Sequence, residues 1–116
     1  MPSTTVYRQG DVVLVFFPFT DLSSSKKRPA LVVSPDSMNA RLDDLVLVAV
    51  TSRLSGGLGT VLIRQSDVEA GMLPKNSEVR IAKLFTLHTS LVVRRLCRLR
   101  PAAKDLVLKE LRGFFL

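Results

Sequence analysis

The chain has 116 residues, and 17 Lys and Arg stand against 10 Asp and Glu, which gives a formal net charge of +7. This balance favours an anionic partner, such as a nucleic acid, an acidic protein or a membrane surface. A single cysteine and a single histidine exclude an internal disulfide and a Cys/His metal site. The longest apolar run, residues 12–19, is far below the ~20 residues of a membrane helix. The N-terminal residues lack the apolar core of a signal peptide, so we expect one cytoplasmic domain over 1–116.

Short apolar runs rich in β-branched residues predict strands in the first half of the chain. These runs are DVVLVFF (11–17), ALVVS (30–34), DLVLVAV (44–50) and TVLIR (60–64). Between the last two runs, the glycine-rich SGGLG (55–59) predicts a hairpin turn. SDVE (66–69) has the spacing of a capping box and predicts one helical turn.

Two further strands are predicted before the C-terminal segment. SEVRIAKL (77–84) alternates like a half-buried strand, although Lys83 interrupts its apolar face. RRLCRLR (94–100) predicts a last strand with a basic outer face.

The period of the pattern changes at Pro101, which can occupy the first turn of a helix. Val107, Leu111 and Phe114 then recur at helical spacing and predict a helix over 101–112. Its apolar face would pack on the sheet, with a dimer surface as the alternative. Short strands followed by one helix predict a mainly β fold, a small, curled, mostly antiparallel barrel with a C-terminal α-helix.

The candidate site consists of polar groups at two strand ends. Arg28 follows three serines and two lysines and precedes Pro29, which biases its backbone towards extended geometry. Thr51, Ser52 and Arg53 end the third predicted strand. A guanidinium holds a phosphate through two parallel hydrogen bonds and keeps its charge, and a threonine hydroxyl can orient a phosphate or ribose oxygen. The structural alternatives are a solvated loop tip for residues 26–28 and an ordinary β-branched strand end for Thr51.

Other catalytic signatures are absent from the sequence. No Ser/His/Asp pattern, phosphate-binding loop or paired carboxylates occur. His88, the only histidine, is better explained as a surface or capping residue than as a general base.

Three blocks resemble the MazF/PemK family of toxins from prokaryotic toxin–antitoxin pairs. They are GDVVLVFFPFTDLSSSKKRPALVVS (10–34), VAVTSR (48–53) and GMLPKNSEVRIAKLFTL (71–87). The resemblance implies an SH3-like barrel, usually homodimeric, that cleaves single-stranded RNA sequence-specifically without a metal or another cofactor. The implied products carry a 2′,3′-cyclic phosphate and a 5′-hydroxyl.

The resemblance also implies roles for individual residues. Arg28 and Thr51 fall on the family's catalytic arginine and threonine, so Arg28 would stabilise the phosphorane and Thr51 would align the phosphate. The ribose 2′-hydroxyl would be the nucleophile. Lys26 and Lys27 would guide the RNA, and the three serines before them would be flexible spacers.

The remaining RNA-binding candidates lie near the second and third blocks: Arg53, Ser77 and Arg80. Ser77 is equally explained as a strand-start hydroxyl. Members of the family often carry an acidic residue two positions after the arginine of the third block, where this chain has Ala82.

Two other functions remain open at this point. A similar fold is used by non-enzymatic toxins that poison DNA gyrase, and Ala82 supports a degenerate relative that binds RNA or antitoxin without turnover. The Arg-Pro and Thr-Ser-Arg blocks favour the nuclease. The expected protein partner is a cognate antitoxin with an acidic toxin-binding segment.

Overall fold

Seven strands form one antiparallel sheet in this computed structural model, which describes residues 5–17 and 26–116. The strands are β1 Asp11–Phe17, β2 Lys26–Val32, β3 Asp44–Thr51, β4 Thr60–Ile63, β5 Val68–Gly71, β6 Ser77–His88 and β7 Val92–Leu99. Their order in the sheet is β4-β6-β3-β2-β1-β7-β5. Two α-helices, α1 Asp36–Asn39 and α2 Pro101–Phe115, complete the architecture. The predicted mainly β fold with a C-terminal helix is confirmed, and the serine-rich segment 23–25 lies outside the described residues.

Apolar side chains cover both faces of the central strands. In β1, Val12 belongs to one buried cluster, whereas Val13 and Val15 belong to a second one. Leu31 and Ala30 of β2 divide in the same way. Successive strand residues point to opposite faces, and here both faces are buried. The apolar runs of the central strands therefore have an apolar residue at every position and not only at alternate ones.

The long strand β6 contributes to both clusters because it bends at a bulge. Ala49 pairs with Arg80, but the preceding Val48 pairs with Leu84, so residues 81–83 have no counterpart in β3. Val79 lies in the first cluster and Leu87 in the second. A bulge bends a strand and re-aims its side chains, which explains why Lys83, inside residues 81–83, breaks the predicted alternation.

The helix α2 closes the first cluster. Val107 is fully buried there, and Ala103, Leu108 and Leu111 pack against it. Phe114 was predicted to belong to the same face, but it is 55% exposed because the helix packs through residues 103–111 and its last turn runs past them. Within the described residues, no helix is long and apolar enough to cross a membrane.

Three local predictions are wrong. Residues 55–59 are not a hairpin turn, because β3 and β4 pair on opposite edges of β6 and not with each other. The turn predicted over 66–69 is a 3-10 turn at Gln65–Asp67, and Val68 already begins β5 because β7 offers it a strand partner. Lys26 and Lys27 lie in β2, paired with Phe17 and Phe16, and not in a loop.

A buried ion pair fixes the start of β1. Asp11 Oδ1 accepts a hydrogen bond of 2.7 Å from Arg98 Nε on β7, and Asp11 Oδ2 accepts one of 2.9 Å from the backbone N–H of Arg8. The hydrogen bond to Asp11 raises the pKa of the Arg98 guanidinium. Gly10 precedes this carboxylate with φ +98, where an added Cβ would lie 3.1 Å from Lys104 Cδ. The Gly-Asp pair therefore joins β1, β7 and α2.

We expect Asp11→Ala to lower the free energy of unfolding by about 3 kcal/mol, because it leaves the Arg98 charge without its partner in a largely buried position. Urea denaturation monitored by circular dichroism measures the change. Arg8→Ala is the control, because its ion pair with Asp36 is 3.7 Å long and exposed on both sides, which predicts a loss below about 1 kcal/mol. Equal losses in the two variants would contradict this account.

Candidate nucleic-acid interface

Arg28 and Thr51 meet at one end of the β2–β3 pair. Ala30 of β2 pairs with Ala49 of β3, and Arg28 and Thr51 each lie two residues beyond that pair at the same end. Arg28 is exposed and Thr51 is half-buried. Polar groups at strand ends are held by a rigid scaffold and yet reach solvent.

Two grooves open on either side of this strand end. The first, called here the Lys75 groove, has a volume of about 650 Å³ and contains the cations Lys26, Lys27, Arg28, Lys75 and Arg94. The second, the Arg80 groove, has a volume of about 520 Å³ and contains Arg28, Arg53, Arg80 and Lys83. Arg28 and Thr51 line both grooves. Among the described residues, neither groove is lined by a carboxylate, so both favour an anion.

The Arg28 guanidinium makes no hydrogen bond or ion pair with any other described residue. Its donors are therefore available to a ligand. The neighbouring Lys27 places its Nζ 5.7 Å from the centroid of the ring of Phe16, its paired residue on β1, which is a cation–π contact between the two strands.

The Thr51 hydroxyl is oriented by the turn that follows β3. Its Oγ1 accepts a hydrogen bond of 3.1 Å from the backbone N–H of Arg53. The carbonyl oxygen of Arg53 in turn accepts one of 3.3 Å from Arg80 Nη2. The Thr51 hydroxyl proton is donated to no other described residue, so it remains available to a ligand. The group can therefore donate to a phosphate oxygen.

A buried carboxylate, Glu78, lies behind these groups. It accepts hydrogen bonds from the backbone N–H groups of Ser55 (2.6 Å) and Gly56 (3.2 Å) and from the Ser55 hydroxyl (2.9 Å). Its Oε2 lies 3.5 Å from Arg80 Nε. Burial by itself would raise the pKa of Glu78, but these hydrogen bonds and the Arg80 charge outweigh burial, so the pKa lies below its ordinary value.

The structure brings the seven predicted site residues to one region. Arg28 and Thr51 line both grooves, Lys26, Lys27 and Ser77 line the Lys75 groove, and Arg53 and Arg80 line the Arg80 groove. Ser77 is nearly buried, and its hydroxyl donates a hydrogen bond of 2.9 Å to the carbonyl oxygen of Lys75. This bond agrees with the strand-start alternative, in which Ser77 stabilises the local turn.

Four residues of the region were missed by the sequence analysis: Lys75, Lys83, Arg94 and Glu78. Two of them had a signal, because Lys83 interrupts an apolar face and Arg94 begins the basic segment 94–100. The other two had no signal. Lys75 lies between strands, and Glu78 cannot be distinguished in sequence from any other polar residue of an alternating strand. His88 is a capping residue as predicted, since its Nδ1 accepts a hydrogen bond of 3.0 Å from the backbone N–H of Ser90.

The side chains that could hold a metal are dispersed. In the described ranges 5–17 and 26–116, no group of three or more His, Cys, Asp or Glu residues is placed to bind a metal ion. Both grooves present arginine, lysine and hydroxyl groups to a ligand.

The sequence match with a known family extends over nearly the whole chain. Residues 8–115 match the PemK-like, MazF-like toxins of type II toxin–antitoxin systems. The chain belongs to this family. No curated protein sequence matches it.

Solved structures show the same fold as this PemK/MazF-like toxin. A MazE–MazF complex from Deinococcus radiodurans has a TM-score of 0.78 and 23% identity over 96% of this chain and 97% of the other. MazF alone from the same organism has a TM-score of 0.75 and 24% identity over 97% and 98%. An endoribonuclease in complex with its cognate antitoxin, from a Mycobacterial species, has a TM-score of 0.73 and 21% identity over 97% and 95%.

The low pKa of Glu78 predicts a pH-dependent contribution to the stability of this toxin. A carboxylate with a depressed pKa stabilises the folded state above its ordinary pKa of 4.5, and this stabilisation is lost as the pH falls through the lower folded-state value. We expect Glu78→Gln to be less stable than wild type at pH 7, and the gap to narrow below pH 4.5. Urea denaturation at a series of pH values measures the gap.

Glu110→Gln removes one negative charge from the exposed side of α2 and serves as the matched control. A gap for Glu78→Gln that is constant from pH 7 to pH 3 would show that the charge of Glu78 contributes nothing to folding.

Proposed function

We propose that this toxin is a metal-independent, sequence-specific endoribonuclease that cleaves single-stranded RNA at Arg28 and Thr51. The observation that carries the proposal is the junction of two cationic grooves at the Arg28 guanidinium and the oriented Thr51 hydroxyl. Within residues 5–17 and 26–116, no carboxylate lines either groove and none pairs with Arg28. Family membership supports it, and the similar Mycobacterial protein is an endoribonuclease.

The reaction uses the substrate's own nucleophile. The ribose 2′-oxygen attacks the adjacent phosphorus, the bond from phosphorus to the 5′-oxygen breaks, and the 2′-hydroxyl proton ends on the departing 5′-oxygen. The products are a 2′,3′-cyclic phosphate and a 5′-hydroxyl. DNA would not be cleaved, because it lacks the 2′-hydroxyl that acts as the nucleophile.

Arg28 and Thr51 supply the stabilisation that this step needs. As the phosphorane forms, charge builds up on its non-bridging oxygens, and a guanidinium offers them two parallel hydrogen bonds. The Thr51 hydroxyl donates to the same phosphate and holds it in line for attack. The strand ends hold the backbone of both residues in place, and the backbone N–H of Arg53 orients the Thr51 hydroxyl before the reaction.

The grooves guide the strand on either side of the reacting phosphate. Lys26, Lys27, Lys75 and Arg94 would contact backbone phosphates in the Lys75 groove, and Arg53, Arg80 and Lys83 would contact them in the Arg80 groove. The Ser77 hydroxyl, whose proton is donated to the carbonyl oxygen of Lys75, would contact RNA as a hydrogen-bond acceptor. Base preference would then come from the walls of these grooves.

The partners follow from the charge and from the family. A cognate antitoxin would lay an acidic segment along the same grooves and block RNA, and a similar protein is known in complex with its antitoxin. We also propose that the toxin is a homodimer of one-domain chains spanning residues 1–116. Its substrate and antitoxin would be met in the cytoplasm.

The first test incubates the purified protein with a long single-stranded RNA in EDTA. Wild type is expected to give discrete fragments with 5′-hydroxyl ends, visible on a sequencing gel. Arg28→Ala and Thr51→Ala should each lose at least about a hundredfold in cleavage rate, because each removes a donor to the phosphorane. A DNA of the same sequence should stay intact.

The matched controls are Arg41→Ala and Thr86→Ala, which change exposed residues away from both grooves and should cleave at the wild-type rate. Intact RNA with wild type would favour a gyrase-binding toxin, which a supercoiling assay would detect, or a degenerate relative. Cleavage that survives Arg28→Ala would move the site elsewhere.

A second prediction concerns the salt dependence of RNA binding. Each phosphate contact with single-stranded RNA contributes about 0.7 to the slope of log affinity against log salt. The double variant Lys26→Ala/Lys27→Ala should therefore flatten that slope by about 1.4. Fluorescence anisotropy with a 2′-deoxy-substituted, uncleavable strand measures it.

The control for the salt experiment is Lys109→Ala/Arg112→Ala, which removes two exposed cations of α2. Its slope should equal that of wild type. If the Lys26→Ala/Lys27→Ala variant also kept the wild-type slope of log affinity against log salt, Lys26 and Lys27 would not contact phosphates.

A further inference from the structure

A carboxylate beside an RNA site calls for an explanation, because it opposes the binding of a polyanion. Glu78 is directly paired with Thr51 across β3 and β6, and Arg80 with Ala49. Directly paired residues share a face of the sheet. Glu78 therefore lies on the same face of the sheet as Thr51, two residues before Arg80 on β6.

The contacts of Arg80 divide its guanidinium into an anchored edge and a free edge. Its Nε faces Glu78 Oε2 at 3.5 Å and is buried, with no hydrogen-bond partner among the residues that the structure describes. One Nη2 proton is donated to the carbonyl oxygen of Arg53. The side chain is 31% exposed, and it lines the Arg80 groove. The remaining Nη protons are left for a ligand. Because a guanidinium is planar and rigid, anchoring one edge orients the other.

Glu78 itself is held firmly enough to act as an anchor. Its side chain is 3% exposed, and three hydrogen bonds from Ser55 and Gly56 fix both carboxylate oxygens. Gly56 has φ +65, a backbone conformation that favours glycine and turns its N–H towards the carboxylate. The segment 55–56, the carboxylate and Arg80 thus form one connected unit.

We propose that Glu78 is a positioning residue for RNA cleavage, which acts by fixing the Arg80 guanidinium at the end of β3 that carries Thr51. This inference rests on the proposed function. Arg80 then presents its free Nη edge to the phosphate next to the scissile one, and Glu78 touches neither the RNA nor the reacting atoms.

Glu78→Gln separates this role from a simple structural one. The glutamine oxygen still accepts hydrogen bonds from the N–H groups of segment 55–56, but the side chain no longer carries the charge that attracts Arg80. Loss of a negative charge by itself favours RNA binding. A misplaced Arg80 should therefore lower kcat while KM stays unchanged or falls.

The experiment measures kcat and KM for a defined RNA with wild type, Glu78→Gln, Arg80→Ala and the double variant. We expect Glu78→Gln to lower kcat by about tenfold to a hundredfold. In the Arg80→Ala background, Glu78→Gln should have no further effect on kcat, because the two residues act as one unit. Additive effects would overturn the inference.

Glu110→Gln makes the same change of charge on α2 and should keep the wild-type kcat. A wild-type protein that cleaves RNA while Glu78→Gln keeps its kcat would overturn this inference alone. A wild-type protein that cleaves no RNA would overturn the proposed function, and this inference with it.

A measurement on wild type covers the case in which Glu78→Gln fails to fold. In ¹⁵N–¹H spectra, the Arg80 Nε–H should exchange with water at least about tenfold more slowly than that of the exposed Arg41, because it is buried against the carboxylate. Equal exchange rates would show that Glu78 does not hold Arg80.

Discussion

The burial of β1 and β2 on both faces is the constraint on which the rest of the structure depends. Val12 and Leu31 must be covered on one side, and Val13 and Val32 on the other. A flat sheet of seven strands could not cover both, so β6 bends at residues 81–83 and each of its halves packs on a different face. The curled sheet is the outcome of that requirement.

The same constraint places the site. The apolar cover ends where β2 and β3 run past their last paired residues, and there the sequence changes from apolar to Arg28 and Thr51. The bulge adds Lys83 to the Arg80 groove. The candidate site thus lies at the margin of the core, where the scaffold is rigid and a ligand can still approach.

The electrostatics of the site combine an attractive surface with one opposing charge. Both grooves are lined by cations without a carboxylate among the described residues, which suits a phosphate backbone. Glu78 lies behind them and is shielded from solvent, so it orients neighbouring donors at little cost to the attraction. Asp11, at the start of β1, likewise holds the Arg98 guanidinium of β7. In both pairs, a buried carboxylate determines where an arginine points.

The sequence by itself determined six of the seven strands, the C-terminal helix and the two catalytic candidates, because apolar patterns and the residues that interrupt them are local features. Tertiary structure decided the rest. SGGLG (55–59) has the composition of a hairpin turn. Only the strand order shows that it connects β3 to β4 across β6, which lies between them in the sheet. Arg94 and Glu78 join the site through pairings between strands far apart in the chain, and Lys75 lies in the segment that leads into β6. Local propensity carries no information on those pairings, since they are selected by the burial of the whole sheet.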